Sequence, residues 1–145
     1  MKENKYQKEI VDWFSQEFPA HYGHFFHVNN SGFTAAQRNY LNSMGQIPGV
    51  ADLLFYSIID ATLSAVEVKA PGSRHDKKRI KTQLEWGKEL YNSGGCYFIG
   101  SDKVLIKSYL TMLATGDHKG ARILSKENIT TIRQRLSSLG QHVTF

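Results

Sequence analysis

The sequence predicts an α/β domain in which a mixed β-sheet is flanked by helices. Its predicted elements run helix, strand, strand, strand, helix, strand and then further helices, an order that packs helices against a sheet. Residues 50–56 and 63–69 are apolar on both faces, as strands in the middle of a sheet are. A hairpin between these two strands predicts an antiparallel pair, and a helical crossover into the strand at 96–99 predicts a parallel one.

Proline, glycine and asparagine residues divide the first half of the chain into separate secondary-structure elements. A helix is predicted over about residues 4–18, because apolar side chains recur at helical spacing up to Pro19. An aromatic strand follows at 24–28 and ends in an Asn-Asn-Ser-Gly turn. Residues 34–44 are predicted to form a short helix that ends at a glycine.

The second half is predicted to be largely helical. A helix from about 76 to 91 has an amphipathic stripe and glycines past its end. Asp102 is predicted to cap a helix that runs to about Leu113. After a polar stretch at 115–121, Ser125 is predicted to cap a last amphipathic helix.

Length and composition favour one globular domain spanning residues 1–145. A chain of 145 residues is near the commonest domain size, and 41% hydrophobic with 21% charged residues is ordinary for a globular protein. The sequence shows no apolar run of about 20 residues and no signal-peptide pattern, so we expect a cytoplasmic protein without membrane association. The single cysteine, Cys96, lies in an apolar run and is predicted to be a buried structural thiol.

Positive charge is concentrated in one stretch. The net charge is +5, and residues 69–81 hold six cations against the single acid Asp76. This stretch fits a rim that faces phosphates and fits equally well the solvated start of a helix. Under the first interpretation, Arg74, Lys77 and Lys78 contact the nucleic-acid backbone.

Two carboxylates lie in strands that otherwise look buried. Asp52 belongs to the first hairpin strand and Glu67 to the second. If the hairpin is symmetric about residues 59 and 60, Asp52 lies opposite Glu67, and both side chains point to one face with Lys69 beside them. A structural salt bridge with Lys69 is the alternative. Because two close carboxylates repel each other unless a cation lies between them, we favour a site for Mg²⁺ or Mn²⁺.

The motifs around these residues resemble those of the PD-(D/E)XK nuclease superfamily, and in particular its VRR-NUC branch. Asp52 corresponds to the first acid, and Glu67-Val68-Lys69 to the E-x-K motif. The resemblance extends over about residues 5–101, which we take as the core, with 102–145 as a helical C-terminal extension. That extension is either a dimer surface or part of the core. The sequence departs from the family pattern at Ala51, where proline is frequent.

The resemblance implies a restriction-endonuclease-like core and hydrolysis of DNA phosphodiester bonds by an activated water. Stand-alone members of this family occur in phages and bacteria, favour branched DNA such as Holliday junctions or flaps, and are often homodimers. It implies catalytic roles for Asp52, Glu67, Lys69 and Gln83, and a metal site formed by Asp52, Glu67, Val68 and Glu9. It also makes Asn30 a candidate for DNA contact, although an Asn-Asn-Ser-Gly segment is equally typical of a turn.

Some of these assignments have plain structural alternatives. Glu9 fits a helix acid that points into the site and fits a solvent-facing glutamate equally well. Gln83 lies on the apolar stripe of its helix and could be an ordinary polar helix residue. At the level of function, a DNA endonuclease is favoured. A non-catalytic nucleic-acid-binding module and an RNA nuclease are the other candidates.

Overall fold

The computed structural model describes residues 2–28 and 34–145. Its helices are α1 (Lys2–Glu17), α2 (Ala35–Ser43), α3 (Lys77–Asn92), α4 (Lys103–Ala114) and α5 (His118–Leu136). Its strands are β1 (Phe25–His27), β2 (Leu53–Tyr56), β3 (Leu63–Val68), β4 (Arg74–Asp76), β5 (Tyr97–Gly100) and β6 (His142–Thr144).

The main sheet is mixed, as the sequence predicts. Its order is β1-β2-β3-β5, with β1–β2 and β2–β3 antiparallel and β3–β5 parallel. Leu53 pairs with Val66 in the β2–β3 hairpin, and this register places Asp52 opposite Glu67. The predicted register is therefore confirmed.

Helices cover both faces of this sheet. On one face, α1 and α4 pack on buried β2 and β3 side chains such as Leu53, Val66 and Val68. On the other face, α3 and α5 pack on residues such as Ala65 and Tyr97. The helices after residue 101 thus contribute buried side chains to both halves of the core, among them Ile106, Tyr109, Leu110, Ile129 and Ile132.

Local signals define most helix starts correctly. The Asp102 side chain caps α4, as predicted. The Asp76 side chain caps α3, which begins at Lys77, next to the predicted start at about residue 76. The predicted start of the last helix is wrong, because the Asp117 side chain caps α5 and the helix begins at His118. Ser125 lies inside this helix, where its buried hydroxyl donates to the Ala121 carbonyl.

A small second sheet was not predicted. β4 pairs antiparallel with β6, so that His75 lies opposite Val143. These strands are three residues long and far apart in the chain, and neither has the length or alternation that marks a strand in a sequence. Within the described ranges, no helix is both long enough and apolar enough to span a bilayer.

Candidate functional site

Asp52, Glu67 and Lys69 form a polar cluster on the face of the sheet that α3 covers. The backbone N–H of Asp52 donates to Glu67 Oε2 at 3.0 Å, and Lys69 Nζ donates to Glu67 Oε1 at 3.3 Å. Glu67 is 2% exposed and Lys69 is 0% exposed, while Asp52 is partly exposed. The structure therefore brings together the three residues of the predicted acidic cluster.

The environment of this cluster opposes ionisation of both acids. Burial raises the pKa of Glu67 to about 7, and the negative charge of Asp52 adds to that effect, although Lys69 opposes it. Burial likewise raises the pKa of Asp52, and Lys69 and His27 oppose that shift. Two adjacent carboxylates that are hard to ionise together are a place where an added divalent cation is favoured.

Gln83 completes the surroundings of Glu67. It lies on α3, is 6% exposed, and its Nε2 donates to Glu67 Oε1 at 3.1 Å. Glu67 therefore accepts hydrogen bonds from a backbone N–H, an ammonium and an amide. These three donors fix the orientation of its carboxylate, which is what a metal-binding acid requires.

An open cavity of about 280 Å³ lies next to the carboxylates. One wall is the Pro48–Val50 segment, which packs so tightly on α3 that a Cβ on Gly49 would lie 2.8 Å from the Thr82 side chain. Gly49 also has a φ of +88°, so glycine is required there for two reasons. The full lining is Pro48, Gly49, Val50, Asp52, Glu67, Arg79, Thr82 and Gln83.

Arg79 contributes a positive charge to the wall of this cavity. Its side chain is exposed, lines the cavity, and its charge lowers the pKa of Asp52 against the effect of burial. Arg79 is one of the six clustered cations of residues 69–81, and the motifs did not assign it to the site. Its position four residues before Gln83 on the same helix was a usable signal, because residues i and i+4 share a helix face.

The predicted metal ligand Glu9 is not brought to this cluster. Its carboxylate is exposed and pairs with Lys103 Nζ on α4 at 2.8 Å, which lowers the pKa of Glu9. A different α1 acid, Glu3, approaches the site. Its Oε2 lies 3.7 Å from His75 Nε2, and its charge raises the pKa of Asp52.

The predicted nucleic-acid contacts lie in different surroundings. The guanidinium of Arg74 lies 3.1 Å from His142 Nδ1, and Lys77 Nζ donates to the Ser138 carbonyl, so both approach the C-terminal segment. Lys78 is exposed at the start of α3. Asn30 lies outside the described residues.

The donor set fits a hard divalent ion that keeps several waters. Among residues 2–28 and 34–145, no three His, Cys, Asp or Glu side chains are grouped so that they could hold a metal. Mg²⁺ is usually held by one or two carboxylates with water, so Asp52 and Glu67 suffice. The Val68 side chain is buried on the opposite face of the sheet, so Val68 can contribute only its carbonyl.

The direction of that carbonyl follows from the sheet. Lys69 N–H donates to the Gly100 carbonyl, beyond the end of the β3–β5 pairing. In a trans peptide the N–H and the preceding carbonyl point in opposite directions. The Val68 carbonyl therefore points away from β5, towards the side of β3 on which Asp52 lies.

Comparison with known proteins adds no assignment: no family model, no curated protein and no solved structure matches this chain. The resemblance to VRR-NUC nucleases accordingly stays a prediction drawn from the motifs.

Proposed function

We propose that this chain is a Mg²⁺- or Mn²⁺-dependent endonuclease that hydrolyses phosphodiester bonds in DNA. The observation that carries the proposal is the Asp52–Glu67–Lys69 cluster, whose two acids line an open cavity. A buried ion pair placed only for stability gains little over apolar packing. A second acid in the same place adds repulsion, which a bound cation would remove.

Asp52, Glu67 and the Val68 carbonyl would hold the cation. When bound, the ion supplies a Lewis acid for the phosphate and lowers the pKa of a coordinated water. Asp52 is the more accessible acid, and Glu67 is fixed by its three donors. Binding the cation would also remove the electrostatic penalty that raises the pKa of Glu67.

Two positively charged side chains would assist the hydrolysis itself. Hydrolysis forms a bond from water oxygen to phosphorus and breaks the bond to the leaving oxygen, so the water loses a proton and the leaving oxygen gains one. Lys69 Nζ, 3.3 Å from Glu67 Oε1, would orient that water and neutralise charge on the phosphate. Arg79, on the cavity wall, would hold a non-bridging phosphate oxygen.

Branched or structured DNA, of the Holliday-junction or flap type, is the proposed substrate. The support is the VRR-NUC resemblance together with the net charge of +5 and the exposed cations Lys78, Arg79 and Lys81 on α3. A homodimer would place two such sites on two strands of a symmetric junction. A cytoplasmic location, in a bacterium or a phage-infected cell, is part of the same proposal.

A cleavage assay tests the proposal. The protein is incubated with junction, flap and linear DNA in Mg²⁺ or Mn²⁺, with and without chelator. We expect cutting that requires the cation and is abolished in Asp52→Ala and Glu67→Ala, while DNA affinity is largely retained. Normal cutting by either variant would show that the site is wrong.

The main alternative is a non-catalytic nucleic-acid-binding module, and the same assay separates the two. A module would bind the DNA substrates without cutting them under any cation. Cutting of RNA but not DNA would instead favour an RNA nuclease. The wild-type protein with DNA and with a matched RNA of the same sequence is therefore the first comparison to make.

A further inference from the structure

In the part of the chain that the structure describes, two buried side-chain atoms have no hydrogen-bond partner. They are the Tyr97 hydroxyl and Gln83 Oε1. Tyr97 is 0% exposed and Gln83 is 6% exposed. Leaving such a group unpaired is costly, on the order of 1–3 kcal/mol for each, so two of them in one region require an explanation.

Both atoms lie near Glu67. Gln83 reaches Glu67 Oε1 through Nε2, and the other atom of the same amide is the unpaired oxygen. Tyr97 lies on β5 opposite Ala65, on the face that carries Glu67 two residues further along β3. The charges of Glu67 and Asp52 both act on the Tyr97 hydroxyl.

The Tyr97 ring is fitted under α3. A Cβ on Gly87 would lie 2.3 Å from the ring, so the helix can approach this close only because residue 87 is glycine. Gly87 is one turn after Gln83 on α3. The ring is thereby held between the strand and the helix, next to the turn that carries Gln83.

The two unpaired atoms are chemically complementary. An amide oxygen can only accept a hydrogen bond, and a protonated tyrosine hydroxyl can donate one. Burial and the two nearby carboxylates raise the pKa of Tyr97 well above its ordinary value, so the hydroxyl keeps its proton.

We propose that Tyr97 is a positioning residue: its hydroxyl donates to one internal water that in turn donates to Gln83 Oε1, and so holds the amide with Nε2 directed at Glu67. This inference rests on the proposed function, because it extends the metal-binding site by one step. The hydroxyl selects one of the two amide orientations. In the other orientation, the amide oxygen would face the Glu67 carboxylate and repel it.

The hydrogen bond is tested in the metal-free protein, where neither cation nor cutting is needed. The side-chain amide signal of Gln83 is assigned by its loss in Gln83→Ala and followed in Tyr97→Phe, which removes only the hydroxyl. We expect that signal to shift and its exchange with water to accelerate about fivefold. The matched control is Tyr109→Phe, since Tyr109 is also 0% exposed and its hydroxyl donates to the Ala65 carbonyl, within the core.

The outcomes distinguish failure of the positioning role from failure of the proposed function. A Gln83 amide signal that shifts in Tyr97→Phe and stays in place in Tyr109→Phe supports the positioning role. An unchanged signal in Tyr97→Phe overturns it, even if the wild-type protein cuts DNA. If Tyr97→Phe alters the amide but the wild-type protein cuts no DNA, the proposed function fails and the hydrogen bond stands.

The consequence for the cation is measured by titrating Mn²⁺ into the same proteins. Tyr97→Phe is expected to weaken Mn²⁺ about tenfold, and Tyr109→Phe to leave it unchanged. If Tyr97 acts through Gln83, the double variant Tyr97→Phe with Gln83→Ala binds Mn²⁺ no more weakly than the single variant Gln83→Ala. Independent, additive losses would contradict that mechanism.

Discussion

The backbone N–H of Asp52 donates to the carboxylate of Glu67 at 3.0 Å, so the two acids of the site are tied together before any cation binds. Asp52 lies one residue before β2, and its carbonyl accepts from the N–H of Val28, one residue past β1. The hydrogen bond to the Glu67 side chain thus adds a link to β3 at the last pair of the hairpin. Both carboxylates lie at the open end of the hairpin, beside the cavity.

The first prediction concerns stability and pH in the presence of chelator. Folded Glu67 keeps its proton up to about pH 7, whereas the unfolded chain releases it near its ordinary pKa of 4.5. The folded state therefore binds more protons between these values, and the free energy of unfolding falls as pH rises through this window. The drop due to Glu67 is about 3 kcal/mol.

Urea denaturation at pH 5 and pH 8 measures this drop. Glu67→Gln, which cannot ionise, is expected to lose much less stability between the two pH values. Mn²⁺ should restore wild-type stability at pH 8 more than at pH 5, because the ion competes with protons for Glu67. Equal pH dependence in the two proteins is the result that would refute the prediction.

Arg79 provides the second prediction. Replacing it with alanine removes the phosphate contact on the cavity wall, so cleavage is expected to slow by about 10²-fold. The slope of log affinity for DNA against log salt should fall by about one. Arg74→Ala is the control, because Arg74 pairs with His142 on the small sheet. The assignment fails if the Arg74 variant is impaired as strongly as the Arg79 variant.

A third prediction concerns Glu9 on α1. The family resemblance implies a metal-binding role for Glu9, but the structure pairs it with Lys103. Glu9→Gln is therefore expected to cut DNA and bind Mn²⁺ like the wild-type protein. Should it lose Mn²⁺ binding to the same extent as Asp52→Asn, the position that the structure gives to Glu9 would be incorrect.

The fourth prediction tests the contact between α3 and β5. Gly87→Ala adds a methyl group 2.3 Å from the Tyr97 ring, which must then move. We expect a loss of about 1–3 kcal/mol of stability from overpacking, despite the better helix propensity of alanine. Thermal unfolding measures the loss, with Glu85→Ala at an exposed position of the same helix as control. Unchanged stability would mean that the close approach does not exist in solution.

Local signals in the sequence were enough to predict the hairpin and the juxtaposition of its two acids. The symmetric loop about residues 59 and 60 gave the register that pairs Asp52 with Glu67. Side-chain caps also marked the starts of α3 and α4. These features depend on residues close together in the chain, where spacing determines geometry.

Non-local features were not predictable in this way. The pairing of β4 with β6 joins strands more than 60 residues apart. The sequence of neither strand indicates with which other strand it pairs. Ser125 looked like a cap, but its hydroxyl accepts from the Tyr97 N–H across the core. The approach of Glu3 to Asp52 likewise depends on where the N-terminus of α1 docks.

The most direct test of the cation site is calorimetry at pH 8. Mn²⁺ is titrated into the wild-type protein, Asp52→Asn and Glu67→Gln. We predict that the wild-type protein binds Mn²⁺ and that either substitution weakens binding by at least about tenfold. Variants that bind Mn²⁺ as tightly as the wild-type protein would contradict a cation site shared by these two carboxylates.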